Sequence, residues 1–406
     1  MEYQNKTNYG GLIVVTLLVL SVGIYIYHTY FYTLPVSEKE LHTEVFVTAA
    51  NYNDNGEFDK SQQYLENQIQ VNPAVELKLY LANSILNEGS VLSKEVESSE
   101  AAQKILSALE VEGHASVYFY DLYGYSYEII NNFTKAHEYY EKALAMDPNS
   151  VNTLFSIGHT YWLSGDIEKA REYYTQAENN ISGDTDTSVQ VKVYVAQGRM
   201  STTIKDAEQY YLKAIPLTTS KSFKSEIYAN LSALAYIEND LPKALQHAHN
   251  AIEADPTSEM GYLAYARASL VNPKLSQEEL PKIAAYLMKS VFFAPKKAET
   301  QYWIGRMNLA MGAHTASLDS YVRAKQLLPD DNSINNQGRQ ELLVEILLYE
   351  AVALYLSNND EYIARLDEVF NINPVKTLRF IDNDVQLHAM KTELQKRNTI
   401  LSSIEI

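Results

Sequence analysis

The chain has 406 residues, and 33 Lys and Arg against 51 Asp and Glu give it a formal net charge of −18 at pH 7. This acidic balance argues against a nucleic-acid-binding protein, which needs clustered cations to neutralise phosphates, and against electrostatic docking of the main body onto an anionic lipid surface. The absence of cysteine excludes disulfides, thiolate zinc sites and a cysteine nucleophile. Tyrosine is in excess, with 32 residues against 11 Phe and 2 Trp, and the fold has to explain this excess.

The N-terminal segment is uncharged and largely apolar over residues 7–37. Because about 20 apolar residues span the hydrocarbon core of a bilayer, residues 11–34 are predicted to form a single transmembrane helix after a short flank of residues 1–10. Aromatic residues cluster at its C-terminal end, as in an interfacial aromatic belt. A cleaved signal peptide is the alternative, with Ser21 and Gly23 as small residues before the cut.

The charges beside this segment predict its orientation. Lys6 and the N-terminal amine flank one end, whereas Lys39 at the other end lies among acidic residues. The positive-inside rule therefore favours a cytoplasmic N-terminus and a periplasmic or otherwise extracytoplasmic C-terminal body. We expect a single-pass membrane protein.

Two stretches in the middle of the chain align without gaps at an offset of 34 residues. The matched pairs are Gly124 with Gly158, Tyr127 with Tyr161, Ala136 with Ala170, Tyr140 with Tyr174, and Ala143 with Ala177. Small residues at such positions let two helices cross closely, and the tyrosines fill the space beside them. Pro148 ends the first unit because proline cannot extend a helix.

This pattern resembles the tetratricopeptide repeat (TPR), a helix pair repeated every 34 residues. The eight positions of the family pattern are occupied by Tyr120, Tyr123, Gly124, Tyr127, Ala136, Tyr140, Ala143 and Pro148. Tyr123 departs from the pattern, in which Leu is usual. Degenerate copies extend in both directions, so the resemblance implies an all-α, right-handed α-solenoid of TPR helix pairs, about nine of them, over residues 40–375. An apolar stripe predicts a C-terminal capping helix over residues 376–406.

Catalytic and cofactor signatures are absent from the sequence. It contains no HExxH, GxSxG, P-loop or GxGxxG motif. The nine histidines are scattered, so we predict no catalytic residue, no metal site and no cofactor. An enzyme with an unrecognised site is the alternative, and paired acidic side chains in a pocket would favour it.

The resemblance implies that partners bind to the concave face, which is lined by the first helix of each repeat. The positions that face this groove in the family are occupied by Asp121, Tyr125, Glu128, Phe155, His159, Trp162, Lys192, Ala196, Arg199, Ala229, Ala233, Tyr236, Leu263, Arg267, Tyr302 and Arg306. Aromatic and arginine side chains supply much of the binding energy of protein interfaces. We therefore predict a partner-binding groove at Phe155, His159, Trp162, Arg199, Tyr236, Arg267, Tyr302 and Arg306.

An anchor, a repeat array and no catalytic motif together predict a non-enzymatic, membrane-anchored scaffold that binds a protein partner and no nucleic acid. Its predicted role is to help assemble or stabilise a membrane or cell-envelope complex of secretion, pilus or outer-membrane type. The alternative is a regulator of an envelope glycan- or lipid-pathway enzyme with the TPR body in the cytoplasm. It is suggested by a bacterial TPR family that carries a cysteine-rich metal domain, which this chain lacks.

Overall fold

A computed structural model describes residues 36–372, except for residues 55, 93, 273 and 332. The described residues form eighteen α-helices and two short 3-10 turns, and no β-strand occurs among them. The expectation of an all-helical fold is confirmed for this part of the chain.

The predicted transmembrane helix of residues 11–34 and the predicted capping helix of residues 376–406 lie outside the described residues. Among the helices that the structure does describe, none has the length and apolar character needed to cross a bilayer.

Contacts between the helices divide the chain into two units, one ending at Gln197 and the other starting at Gly198. That residues 40–375 form one continuous array of repeats stays a prediction. The helices of unit 1 are α1 (Val36–Asp54), α2 (Phe58–Val71), α3 (Val75–Leu92), α4 (Glu95–Val111), α5 (Val117–Glu128), α6 (Phe133–Met146), α7 (Val151–Ser164), α8 (Ile167–Asn179) and the larger part of α9 (Thr187–Met200).

The helices of unit 2 follow the same alternation of antiparallel pairs. They are α10 (Ile204–Ala214), α11 (Lys221–Ile237), α12 (Leu241–Ala254), α13 (Glu259–Leu270), α14 (Leu280–Phe293), α15 (Ala298–Ala310), α16 (His314–Leu327), α17 (Asn336–Leu356) and α18 (Tyr362–Ile372). Its largest apolar core lies between α13 and α18 and includes the fully buried Leu287, Tyr321 and Leu366.

Polar side chains at helix starts explain the regular spacing of the helices in the central repeats. Ser116 and Ser150 precede α5 and α7, and each hydroxyl accepts a hydrogen bond from the backbone N–H three residues further on. Asn132 and Asp166 do the same before α6 and α8. Such N-caps satisfy amide groups that the first helical turn leaves unpaired. Equivalent caps 34 residues apart start equivalent helices.

Glycine and tyrosine pack against each other where the two helices of a repeat cross. A Cβ atom on Gly158 would lie 2.8 Å from Cδ1 of Tyr174, so only glycine leaves room for that ring. The same contact recurs at Gly124 with Tyr140, Gly198 with Tyr211, and Gly305 with Tyr321. These four tyrosines are buried. Part of the tyrosine excess is therefore explained by packing between paired helices.

Candidate partner-binding surface

Three of the predicted groove residues form a stack of rings along one face of α7. Phe155, His159 and Trp162 lie at positions i, i+4 and i+7, which share a helix face. The centroids of Phe155 and His159 are 6.0 Å apart with their planes 9° from parallel, and those of His159 and Trp162 are 5.6 Å and 21° apart. All three side chains are partly exposed. We call these three residues the aromatic ladder.

The middle ring of the aromatic ladder is held by a buried carboxylate on the preceding repeat. Nδ1 of His159 lies 2.7 Å from Oε1 of Glu128, the last residue of α5. The other oxygen, Oε2, accepts a 2.7 Å hydrogen bond from the hydroxyl of Tyr140. Burial raises the pKa of Tyr140 well above its usual value, so that hydroxyl keeps its proton and donates it. Two hydrogen bonds thus fix the position of Glu128, and Glu128 orients His159.

A second buried carboxylate joins the same two repeats two helical turns away, on the same face of α5. Asp121 on α5 accepts hydrogen bonds from Nδ2 of Asn152 at 2.9 Å and from the hydroxyl of Thr153 at 2.7 Å. Burial raises the pKa of Asp121 to about 7, although these two hydrogen bonds oppose the shift. The nearby Lys192 of α9 acts in the same direction as the hydrogen bonds, and burial lowers its own pKa.

The surface around the aromatic ladder therefore presents flat rings, and buried carboxylates of the preceding first helix support it from below. Tyr125 adds a partly exposed phenol, whose pKa burial raises to about 12. Such a surface offers ring faces for apolar or cationic side chains and polar atoms for hydrogen bonds. Within residues 36–372 as described, no group of three or more His, Asp or Glu side chains is placed to hold a metal ion.

Three predicted groove residues of unit 2 form ion pairs or packing contacts with other residues of that unit. Arg199 forms an ion pair with Glu226 on α11, and Nη1 of Arg267 lies 3.7 Å from Oε1 of Glu299. Tyr236 is partly buried and packs against the cluster of small residues between α11, α12 and α13. These side chains belong to unit 2, whereas the aromatic ladder belongs to unit 1.

The other two predicted groove residues are buried, which differs from the open groove that the sequence predicts. Tyr302 is 1% exposed and Arg306 is 2% exposed. Nη1 of Arg306 donates a 3.0 Å hydrogen bond to the hydroxyl of Tyr302, and the guanidinium lies 3.8 Å from the ring centroid of Tyr349. The physical reason is that α17 packs over α15 here and places Tyr349 against Tyr302 and Arg306. The corresponding face of α7, which carries the aromatic ladder, stays partly exposed.

Sequence reasoning placed Asp121, Glu128 and Lys192 among groove-facing positions but did not select them as site residues. The sequence did indicate that these three residues have partners, because ionisable residues at positions that face the next helix are seldom buried without them. It did not identify Asn152 and Tyr140 as those partners. Tyr140 on α6 and Asn152 on α7 each reach a carboxylate on another helix, α5. Asn152 has no role in the family pattern.

Family models of the tetratricopeptide repeat match two adjacent segments, residues 117–150 and 151–179. These are the segments that the 34-residue offset aligned. The chain therefore carries two tetratricopeptide repeats, over residues 117–179. The model boundaries fall at Ser150 and Val151, where the cap of α7 begins the second repeat, so the predicted repeat is confirmed over these residues.

One curated relative is the TPR repeat-containing protein MJ1428 of Methanocaldococcus jannaschii, 24% identical over 199 residues. The match covers 49% of this chain and 33% of the relative, so the chain spans about a third of that protein's length. Identity at this level agrees with a shared repeat.

Among solved structures, the chain is similar to one chain of the APC/C hetero-tetramer Cut9–Hcn1, with a TM-score of 0.52 at 15% identity. The similarity covers 84% of this chain and 65% of that one. Yeast Tom70 gives a TM-score of 0.47 at 16% identity over 89% of this chain and 75% of its own, which is too low to support an argument. The first similarity shows a shared fold of stacked helix pairs and nothing about shared partners.

Proposed function

We propose that this chain is a non-enzymatic TPR scaffold that binds a protein partner through the surface around the aromatic ladder. The observation that supports this most is the stack of Phe155, His159 and Trp162, which is partly exposed and held in place by Glu128. Rigid aromatic side chains bind at a low cost in conformational entropy, and buried supporting hydrogen bonds reduce that cost further.

The proposed partner belongs to a membrane or cell-envelope complex that the scaffold helps to assemble or stabilise. This part of the proposal rests on the apolar, uncharged segment of residues 11–34, with the TPR body on the extracytoplasmic side. A reporter enzyme fused after Ile406 tests the side of the membrane. Activity of a periplasmic reporter is expected. Activity of a cytoplasmic reporter instead would favour the alternative, a regulator of a glycan- or lipid-pathway enzyme.

The binding surface is tested by affinity capture of the full chain from detergent extracts. Trp162→Ala is the test variant, and Tyr355→Ala is the matched control, because Tyr355 is also a partly exposed aromatic residue but lies in unit 2. A partner recovered with the unmodified chain and the control, and lost with Trp162→Ala, is the expected result. Equal recovery with all three chains would contradict the proposed surface. Circular dichroism checks that each variant keeps its helical content.

A further inference from the structure

Helix α14 is apolar on two opposite faces. Its inner face is buried in the core of unit 2 through Leu280, Ile283 and Leu287. Its outer face carries four exposed residues at positions i, i+4, i+7 and i+11, which share one side of a helix. These residues, which we call the outer stripe of α14, are Pro281, Ala285, Met288 and Phe292. Met288 is 65% exposed and Phe292 is 79% exposed, so no other described part of the chain covers them.

The outer stripe of α14 differs from the same positions on four other second helices, α6, α8, α12 and α16. Aligned on their buried inner residues, those positions are also exposed. They are occupied by Thr134, Glu138, Glu141 and Ala145 in α6, by Glu168, Glu172, Thr175 and Asn179 in α8, by Pro242, Gln246, His249 and Glu253 in α12, and by Thr315, Asp319, Val322 and Gln326 in α16. These four outer faces are thus largely polar, and each carries at least one acidic residue. An exposed apolar face in a setting of polar ones marks an interaction surface.

Lysines flank this apolar stripe. From residue 280 to residue 298 the sequence has four lysines and no Asp or Glu, although Glu279 and Glu299 border this segment. Lys297 forms an ion pair with Glu259 at 3.0 Å, and Lys282 and Lys289 lie on α14 beside the stripe. Nζ of Lys282 donates a 2.9 Å hydrogen bond to the hydroxyl of Tyr265, and Nζ of Lys289 lies 3.4 Å from the hydroxyl of Tyr262. Both phenol partners are uncharged, so they orient the ammonium groups without cancelling their charge.

We propose that the outer stripe of α14 docks onto an anionic lipid surface. Met288 and Phe292 would enter the interface between headgroups and acyl chains, and Lys282 and Lys289 would contact lipid phosphates. Membrane-surface helices typically combine apolar side chains with flanking lysines. The flexible stem of a lysine lies along apolar surface while its charge stays in water.

The lysines also favour lipid over the other occupants of such a face. Lysine is depleted in protein–protein interfaces, in which arginine, tyrosine and tryptophan are enriched. A second copy of this chain, docked symmetrically through α14, would place Lys282 and Lys289 near the same residues of its partner, and like charges repel.

The net charge of −18 argues against attraction of the whole body to an anionic surface, but the charges at the contact itself are those around α14. Charges separated by more than about 8–10 Å are largely screened at physiological salt, so the residues nearest to the lipid decide. The proposed contact is therefore local and sensitive to salt. It does not rest on the partner-binding surface of unit 1, and it can be measured whether or not residues 11–34 insert into a bilayer.

The absence of cysteine allows a site-specific test in the full chain. Met288→Cys introduces one thiol on the outer stripe of α14, and Thr175→Cys introduces one at the matching exposed position of α8. Each is labelled with an environment-sensitive nitrobenzoxadiazole dye and reconstituted with vesicles of phosphatidylcholine alone or of phosphatidylcholine with phosphatidylserine. We expect a blue shift and a gain in emission at position 288 with phosphatidylserine, weakened by salt, and no change at position 175.

Two further variants of the chain labelled at position 288 separate the contribution of apolar insertion into the lipid from that of the lysine charges. Phe292→Asp is expected to abolish the blue shift, and because Phe292 is exposed the fold should be kept. Lys289→Glu is expected to move the response to higher phosphatidylserine content.

Three results would overturn the proposal. The first is an equal response at positions 175 and 288. The second is a response at position 288 that rises with protein concentration without lipid, which would indicate a second copy. The third is silence on vesicles together with a response to an acidic amphipathic peptide, which would indicate a protein partner.

Discussion

Helices α7 and α15 occupy equivalent places in their repeats, yet their side chains lie in different surroundings. An offset of 147 residues relates the two helices, and the aligned pairs are Gly158 with Gly305, Phe155 with Tyr302, and His159 with Arg306. In α7 the two side chains are partly exposed and flanked by polar groups, whereas in α15 they are buried under Tyr349. The difference shows that the next helix in the stack decides whether a groove position becomes surface or core.

The largest expected effect contrasts the two helices directly. Arg306→Ala removes a buried guanidinium from between Tyr302 and Tyr349, so we expect the free energy of unfolding to fall by about 2–5 kcal/mol. His159→Ala removes a partly exposed ring and one hydrogen bond, at a cost on the order of 1 kcal/mol. Urea-induced unfolding followed by circular dichroism measures both. Equal losses would mean that the two positions do not differ in burial.

The free energy of unfolding is expected to depend on pH through Asp121, which occupies in α5 the position of Phe155 and Tyr302. Because its folded pKa of about 7 lies above the ordinary aspartate value of 3.8, the folded chain holds a proton that the unfolded chain has released between these two pH values. Its stabilising contribution is therefore present at low pH and is lost as pH rises from about 4 to about 7.

Asp121→Asn cannot titrate and isolates this effect from other carboxylates. Relative to the unmodified chain, we expect the variant to gain up to about 4 kcal/mol of unfolding free energy between pH 4 and pH 8. Urea unfolding at the two pH values measures the gain. A difference between the two chains that stays constant with pH would show that Asp121 is ionised throughout this range.

A smaller effect is expected where the paired helices cross. Ala170 is fully buried on α8, and Ala170→Leu should overpack the crossing and lower the unfolding free energy by roughly 1–3 kcal/mol. Ala145→Leu on the exposed face of α6 is the control, with an expected change within about 0.5 kcal/mol. Thermal melting measures both. An unchanged melting temperature for Ala170→Leu would mean that α7 and α8 do not cross at this residue.

The central repeats could be predicted from sequence because their determinants are local. Gly158 and Tyr174 are 16 residues apart and recur in the preceding repeat, so one alignment indicates both the helices and their contact. The burial of Arg306 could not be predicted in this way. It depends on Tyr349, 43 positions further on in a helix whose match to the repeat is poor.

The partners of the aromatic ladder show the same limit. The family pattern indicated that Glu128 and His159 face the same side, but it did not indicate that they form a hydrogen bond. The outer stripe of α14 could not be predicted from the sequence for another reason. An apolar residue on a helix is expected to point inward, and only the structure shows that Met288 and Phe292 point away from the core.

Site-specific photocrosslinking tests the proposed binding surface most directly. A benzoylphenylalanine photoprobe replaces Phe155 on the aromatic ladder in one chain and Thr175 on the outer face of α8 in another, both in the full chain in its native cells. We predict a discrete crosslinked partner from position 155, lost when Trp162→Ala is added, and none from position 175. The same partner crosslinked from position 175 and not from position 155 would contradict binding at the aromatic ladder.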